Sequence, residues 1–148
     1  MAITRAIISC ILFLSTALAM SSVGLEDFRW KNRLLIYFYL SEDQKEVVES
    51  RLEKYSDAVR ERDLLVGYVQ LGKPPLLASS TLEERSIETL VSGSGITKYK
   101  SAVVLIGKDG TIKFNGSIDT ALSELFTLID SMPMRKREMK NQALKGDS

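Results

Sequence analysis

Short apolar runs of strand length alternate with longer amphipathic segments along most of this chain. Continuous apolar and aromatic residues occupy 33–40 and 64–71, which predicts two strands that are buried on both faces. A third run at 102–106 is followed by a Lys-Asp-Gly turn at 108–110 and a shorter run at 111–114, as in an antiparallel hairpin. Because a helical segment separates the first two strands, we expect those strands to be parallel and joined by a right-handed crossover.

Three segments between and after these runs carry apolar residues at helical spacing. They cover 41–62, 80–91 and 118–132, and the first two begin with a serine that is followed by Gln or Glu three residues later. That pairing is a capping box, which marks the start of a helix. The third segment stops at Pro133, because the residue before a proline is disfavoured in the helical conformation.

The resulting order of elements, βαβαββα, is that of the thioredoxin core. It predicts an α/β fold with a four-stranded mixed sheet, in the strand order second, first, third, fourth, flanked by three helices. We assign residues 33–132 to this single thioredoxin-like domain and residues 20–32 to an N-terminal lead-in. Residues 133–148 are expected to form a polar and mobile C-terminal tail.

Residues 1–19 differ in composition from the rest of the chain. Arg5 is their only charge, an apolar run follows it, and the segment ends in Ala-Leu-Ala. This pattern is typical of a secretory signal peptide cleaved after Ala19, and the run is too short to span a bilayer. We therefore expect a secreted or periplasmic protein with no membrane span after cleavage. The only cysteine, Cys10, would leave with the signal peptide, so the mature domain is free of cysteine.

The usual chemistry of this fold is missing from the sequence. In redox-active thioredoxin-like proteins the reactive thiolate follows the first central strand at the start of a helix, and Ser41 occupies that place here. A serine nucleophile needs a general base, and the chain has no histidine, so we interpret Ser41 as a helix cap. We predict no thiol–disulfide oxidoreductase activity, no catalytic residue and no cofactor.

Metal and nucleic-acid binding are also disfavoured. Without histidine or a retained cysteine, the common ligand sets for zinc and copper cannot form. Asp109 and Asp119 flank the hairpin without the spacing of a calcium or magnesium loop, so no metal site is predicted. The chain has 20 basic and 19 acidic residues, and loss of Arg5 makes the two equal. Proteins that bind nucleic acid usually carry a positive excess, which is absent here.

Three local patterns resemble a known family. They are Arg-Trp-Lys-Asn-Arg at 29–33, Leu-Ile-Gly-Lys-Asp-Gly at 105–110, and the segment 130–138 with its Met-Pro-Met-Arg core. Together they are similar to the secreted domain of unknown function that occurs alone in bacteria and at the ends of vertebrate sushi-repeat-containing extracellular proteins. The resemblance covers about 25–139. It implies a thioredoxin-like fold, an extracellular or periplasmic setting and a binding role, without an established activity.

Each of these patterns also has a purely structural interpretation. Trp30 precedes a buried strand and is most simply a lid on the core, with stacking on a ligand as the alternative. Lys108, Asp109 and Gly110 satisfy the needs of a tight turn, and they are also candidates for an exposed contact.

The segment around Pro133 leaves three possibilities open. Met132, Met134, Arg135 and Glu138 could belong to a solvated tail, to a segment that docks on a partner, or to one that folds back on its own domain. In the second case the methionines would adapt to a groove and arginines would contact an anionic group.

Two functions from different classes follow. The first is a non-catalytic secreted module that binds a protein or an anionic surface polymer through the hairpin turn and the Met and Arg segment, with Lys98 and Lys100 nearby. Its tentative binding residues are Trp30, Lys108, Asp109, Met132, Met134, Arg135 and Glu138. The alternative is a cysteine-independent enzyme that uses carboxylates, Arg and Tyr in a cleft at the strand ends. The sequence leaves the oligomeric state open.

Overall fold

A computed structural model describes residues 24–72, 84–97 and 99–146 of the chain. The expected signal peptide, the capping box of the segment 80–91 and Lys98 lie outside these residues. Within them, no helix is both long and apolar enough to cross a bilayer.

The described residues form a four-stranded mixed sheet. Its strands are β1 (Arg33–Tyr39), β2 (Leu64–Gln70), β3 (Ala102–Ile106) and β4 (Ile112–Ser117). The strand order is β2-β1-β3-β4, with β1 and β2 parallel and both β1–β3 and β3–β4 antiparallel. This confirms the predicted sheet and its strand order.

Helices cover both faces of the sheet, and a short 3-10 helix, Leu25–Phe28, precedes β1. The α-helices are α1 (Glu42–Glu53), α2 (Ser56–Glu61), α3 (Glu84–Ser94), α4 (Leu122–Ser131) and α5 (Pro133–Gly146). Every residue of β1 is buried, as expected for a central strand with helices on both sides.

Two apolar layers hold the helices to the sheet. On one face, side chains from α1 and α4 pack against alternate residues of β1 and β3, represented by Leu52, Leu125 and Leu35. On the other face, Ile87 and Leu90 of α3 pack against the intervening strand residues. The alternation follows from the two-residue period of a strand, so β1 contributes to both cores.

The helix predicted over 41–62 is interrupted rather than continuous. It breaks around Tyr55 into α1 and α2, and the Tyr55 ring packs edge-on against Phe126 of α4 with ring centroids 5.9 Å apart. The helix predicted from 118 starts later, at Leu122, because residues 117–120 form a turn closed by the Thr120 N–H and the Ser117 carbonyl.

In place of the expected mobile tail, residues from Pro133 onward form α5. Met132 has an extended backbone and ends α4, as the following proline requires, but Pro133 then occupies the first position of α5. Proline is well tolerated there because the first helical N–H groups have no partner within the helix. The same residue therefore ends one helix and begins the next, and Arg135 becomes fully buried.

Candidate binding site

Charged side chains converge at the end of the sheet where β1 and β2 begin and β3 ends. We call this set the ionic cluster; it comprises Arg33, Arg62, Lys108, Arg135, Glu61, Asp63, Asp130 and Glu138. Four cations are matched by four carboxylates. Buried charges are tolerated when they are paired and hydrogen-bonded, and the balance of this cluster meets that requirement.

One half of the ionic cluster joins α5 to the sheet. The Arg33 guanidinium, on a residue that is 1% exposed, donates from Nη1 and Nη2 to the two oxygens of Glu138, at 3.1 and 3.2 Å. Lys108 Nζ lies 2.9 Å from Glu138 Oε1 and 2.7 Å from Asp63 Oδ2. Glu138 thus links the first residue of β1 to the hairpin turn.

The other half joins α5 to α2 and α4. Arg135 donates from Nη2 to Glu61 Oε1 at 2.5 Å and from Nε to Asp130 Oδ1 at 3.2 Å. Arg62 donates to Asp130 Oδ2 at 2.5 Å, and its guanidinium carbon lies 4.7 Å from the centroid of the Phe126 ring. Asp130 therefore bridges two arginines, one from each side.

These contacts set the pKa values of two carboxyl groups. Burial alone would raise the pKa of Glu138, but hydrogen bonds from Arg33 and Lys108 outweigh it and hold that pKa below its usual range. Burial would also raise the pKa of Asp130. Hydrogen bonds from Arg62 and Arg135 outweigh this effect, so the pKa of Asp130 is lowered as well. Both groups are therefore carboxylates at neutral pH.

A cavity of about 320 Å³ lies beside the ionic cluster. We call it the hairpin pocket; its walls are formed by Arg33, Gly107, Lys108, Asp109, Lys113, Leu128, Met132, Pro133 and Met134. Apolar side chains from the end of α4 and the start of α5 face charged ones from the hairpin. This combination of an apolar surface with a few polar groups is typical of ligand sites.

The hairpin turn contributes its own ion pair to the pocket. Lys113 Nζ lies 2.6 Å from Asp109 Oδ2, while Asp109 Oδ1 accepts from the Thr111 N–H and hydroxyl. Burial opposes but does not overcome these bonds, so the pKa of Asp109 is lowered. Gly110 has a φ of +79°, which confirms the interpretation of this segment as a tight turn.

Trp30 does not cover the core, so its interpretation as a core lid is wrong. It is 63% exposed, and its backbone has a φ of 65°. Its N–H donates to the Lys108 carbonyl at 2.6 Å, and this bond fixes the turn that leaves the indole on the surface. Stacking on a ligand stays a prediction for this residue.

The structure divides the seven sequence-predicted residues into three groups. Lys108, Asp109, Met132 and Met134 line the hairpin pocket. Arg135 and Glu138 lie in the ionic cluster, where they fold back on their own domain, and Trp30 lies on the adjoining surface. Sequence reasoning missed Arg33, Arg62 and Lys113. A charged residue at the first position of a fully apolar strand was the available signal for Arg33.

The place of the redox thiol is at the opposite end of the sheet. Ser41 follows β1 and takes the N-cap position of α1, but its hydroxyl makes no capping bond to any described residue. Instead the Gln44 side chain accepts from the Leu40 N–H at 2.9 Å. Among the described residues, no group of three or more Asp, Glu, His or Cys side chains is arranged to hold a metal ion.

Fold and sequence together define a thioredoxin-like domain with serine at the thiol position. The chain belongs to the family described as "Domain of unknown function (DUF4174)", which matches residues 24–138. The matched segment ends at Glu138, the residue that pairs with Arg33 and Lys108. A thioredoxin-like domain of unknown function is thereby confirmed, whereas its secreted setting and its link to sushi-repeat proteins stay predictions.

One of the similar solved structures supports the thioredoxin-like fold. A 2-Cys peroxiredoxin from Plasmodium vivax has a TM-score of 0.50 and 17% identity, covering 76% of this chain and 84% of that one. Thioredoxin peroxidase I from Plasmodium yoelii has a TM-score of 0.48 and 21% identity, covering 76% and 79%. The exposed lipoprotein thioredoxin from Streptococcus pneumoniae has a TM-score of 0.47 and 14% identity, covering 73% and 90%. At 17% identity the likeness to the Plasmodium vivax protein concerns the fold alone.

Two curated relatives are GTPase Der proteins from Campylobacter jejuni strains, each 32% identical over 111 residues. The match covers 68% of this chain, which spans 23% of their length. Gly67, Gly72 and Lys73 have the spacing of a phosphate-binding loop, but Pro74 stands where that loop needs Ser or Thr. Gly67 also lies inside β2, so the likeness gives no ground for nucleotide binding.

The ionic cluster predicts that the domain needs the start of α5. A chain ending at Met132 lacks Arg135 and Glu138 and leaves Arg33 buried without its carboxylate. We expect its free energy of unfolding to fall by about 3–5 kcal/mol, measured by urea denaturation with far-ultraviolet circular dichroism. A chain ending at Asn141 keeps both residues and is the control. Equal unfolding midpoints for the two truncated chains would contradict the assignment.

The lowered pKa values of Glu138 and Asp130 predict that the folded domain loses stability in acid. Because the folded-state pKa of Glu138 lies below its unfolded value, its contribution to stability is present above pH about 4 and is lost as the pH falls through the folded value. Glu138→Gln should destabilise the domain by about 2 kcal/mol at neutral pH and flatten the loss of stability in acid. The measurement is urea unfolding from neutral to strongly acidic pH, with exposed Glu124→Gln as control. The same acid slope in both variants would argue against the role of Glu138.

Proposed function

We propose that this chain is a secreted, non-catalytic thioredoxin-like module that binds a protein partner at the hairpin pocket. The observation that carries the proposal is the pocket itself. Lys108, Asp109, Met132 and Met134, which come from two distant parts of the sequence, line one cavity with apolar and charged walls. Methionine side chains are flexible and polarizable, and they suit a surface that adapts to a partner.

The charges around the pocket favour a protein over an anionic polymer as the partner. Lys113 is paired with Asp109, and Lys108 is paired with Asp63 and Glu138. A polyanion is bound best by a stretch of unpaired cations. A surface with balanced charges and an apolar centre fits the mixed composition of a protein interface.

Trp30 extends the proposed surface. Its backbone is bonded to that of the pocket residue Lys108, and its indole is largely exposed. A positive φ is rare for a bulky residue and strains the backbone, and such strain tends to be retained where it serves a function. Exposed tryptophan is also enriched among the residues that contribute most to protein binding.

The pocket gives less support to a cysteine-independent enzyme. Among the residues that line the pocket, the acidic one is Asp109, and the pKa of its carboxyl group is lowered. A general acid or base works best with a pKa near the operating pH, which this carboxylate does not have. The sequence also offers no histidine. Binding without chemistry is therefore the simpler account.

Export is the second part of the proposal. The charged start, apolar run and Ala-Leu-Ala end of residues 1–19 support a cleaved signal peptide. A domain without cysteine does not depend on disulfide formation in an oxidising compartment, and its two apolar cores and ionic cluster supply the stability instead.

The binding surface can be tested with a matched pair of variants. The purified chain, Trp30→Ala and Val47→Ala are immobilised and exposed to an extract of the secreted and envelope proteins of the source cell. We expect the wild type and Val47→Ala to retain the same partner, because Val47 is an exposed residue of α1 that does not line the hairpin pocket. Trp30→Ala should weaken binding about tenfold or more, measured by titration of that partner. Equal retention by all three would remove this surface from the proposal.

The signal peptide can be tested by the N-terminal sequence of the exported protein. When the full chain is expressed in a bacterial host, we expect a product outside the cytoplasm that begins at Met20. Ala19→Arg should remain uncleaved, because the cleavage site needs a small residue. N-terminal sequencing of both products checks this. Uncleaved wild-type protein in the cytoplasm would refute export.

A further inference from the structure

We infer that the hairpin pocket binds a carboxylate that is attached to an apolar group. The inference rests on the proposed binding function and names the chemistry that the pocket recognises. In the protein partner proposed above, this group is the C-terminal end of a chain with an apolar last side chain. A free organic acid presents the same chemistry and is the other source that the test distinguishes. Four features of the pocket support the inference.

The first feature is an unsatisfied donor. Arg33 lines the pocket and is 1% exposed, and its two terminal nitrogens bond to Glu138 and the Arg62 carbonyl. Within the described part of the chain, Arg33 Nε has no hydrogen-bond partner. A buried N–H without a partner costs about 1–3 kcal/mol. Nε is closed to solvent in this structure, so a ligand oxygen would remove that cost by displacing the side chain that covers it.

The second feature is the start of α5, a helix of 14 residues. Met132, Pro133 and Met134 line the pocket, so the positive end of the helix lies at its wall. The first N–H groups of a helix lack acceptors within it, and the methionine that precedes Pro133 carries no side-chain oxygen to cap them. Helix starts of this kind favour anions.

The third feature is an ion pair at the rim of the pocket, in which the carboxylate of Asp109 is already bound to Lys113. Asp109 Oδ2 lies 2.6 Å from Lys113 Nζ, and both side chains are about one-third exposed. A ligand carboxylate can therefore take the place of Asp109 on Lys113 without leaving a buried charge unpaired. Asp109 acts as a competitor, so its neutralisation should favour the ligand.

The fourth feature is the apolar wall. Leu128, Met132, Pro133 and Met134 supply it, and a volume of about 320 Å³ lies in the range of small-molecule sites. A bare inorganic anion would leave this surface uncovered. An anion with an aliphatic or aromatic body would cover it and gain from its burial.

The test uses the full chain and four probes: hexanoate, hexanamide, and a short peptide ending in leucine with either a free carboxylate or an amide. We expect the two acids to bind and to shift the backbone amide NMR signals of Met134 and Arg135, and the two amides to bind much more weakly. The acid that binds more tightly identifies the source of the ligand. Equal binding of acids and amides, or shifts confined to other residues, would overturn the inference.

Three variants give the matched comparison for the same titrations. Lys113→Ala should weaken binding of the acids about tenfold, and Asp109→Asn should strengthen it because the competing charge is gone. Lys54→Ala, an exposed lysine at the end of α1, is the control. Equal affinities for Lys113→Ala and Lys54→Ala would contradict the inference. If the acids do not bind but the Trp30-dependent partner is still captured, the carboxylate inference fails and the proposed binding function stands.

Discussion

Arg33 is a fully buried cation at the start of the central strand, and the rest of this end of the domain depends on how its charge is balanced. Its partner, Glu138, comes from α5 and also binds Lys108 of the hairpin. This single carboxylate therefore holds the last helix against the sheet and the hairpin turn against both. Arg135 repeats the arrangement on the other side of α5. The hairpin pocket exists because these pairs place the start of α5 beside the turn.

The position of the redox thiol in this fold and the candidate site of this protein lie at opposite ends of the same sheet. Redox-active thioredoxin-like proteins place their thiolate where the first central strand ends, and here that position holds Ser41 in a chain without histidine. The ionic cluster and the pocket lie where β1 begins. A shared fold therefore gives no guidance on activity, because the chemistry depends on the side chains at one end and not on the sheet.

The sheet could be predicted from the sequence, and most of the site could not. Strand runs such as 102–106 are uniformly apolar, so their burial follows from their composition. Pro133 predicts the end of a helix, since a proline ends the helix before it, although a proline is equally able to begin another helix. The polar composition of the segment after it favours a tail, because composition does not reveal that Arg135 pairs with carboxylates on α2 and α4. The position of Trp30 before a buried strand favours a lid on the core, whereas a left-handed backbone keeps its side chain on the surface.

The pairing of Arg33 with Glu138 spans 105 residues of sequence. During translation the central strand leaves the ribosome long before the carboxylate that neutralises its first residue has been synthesised. Contacts between such distant parts of a chain form late and slow the folding of a domain. The ionic cluster therefore cannot be complete until the chain has been synthesised as far as Glu138.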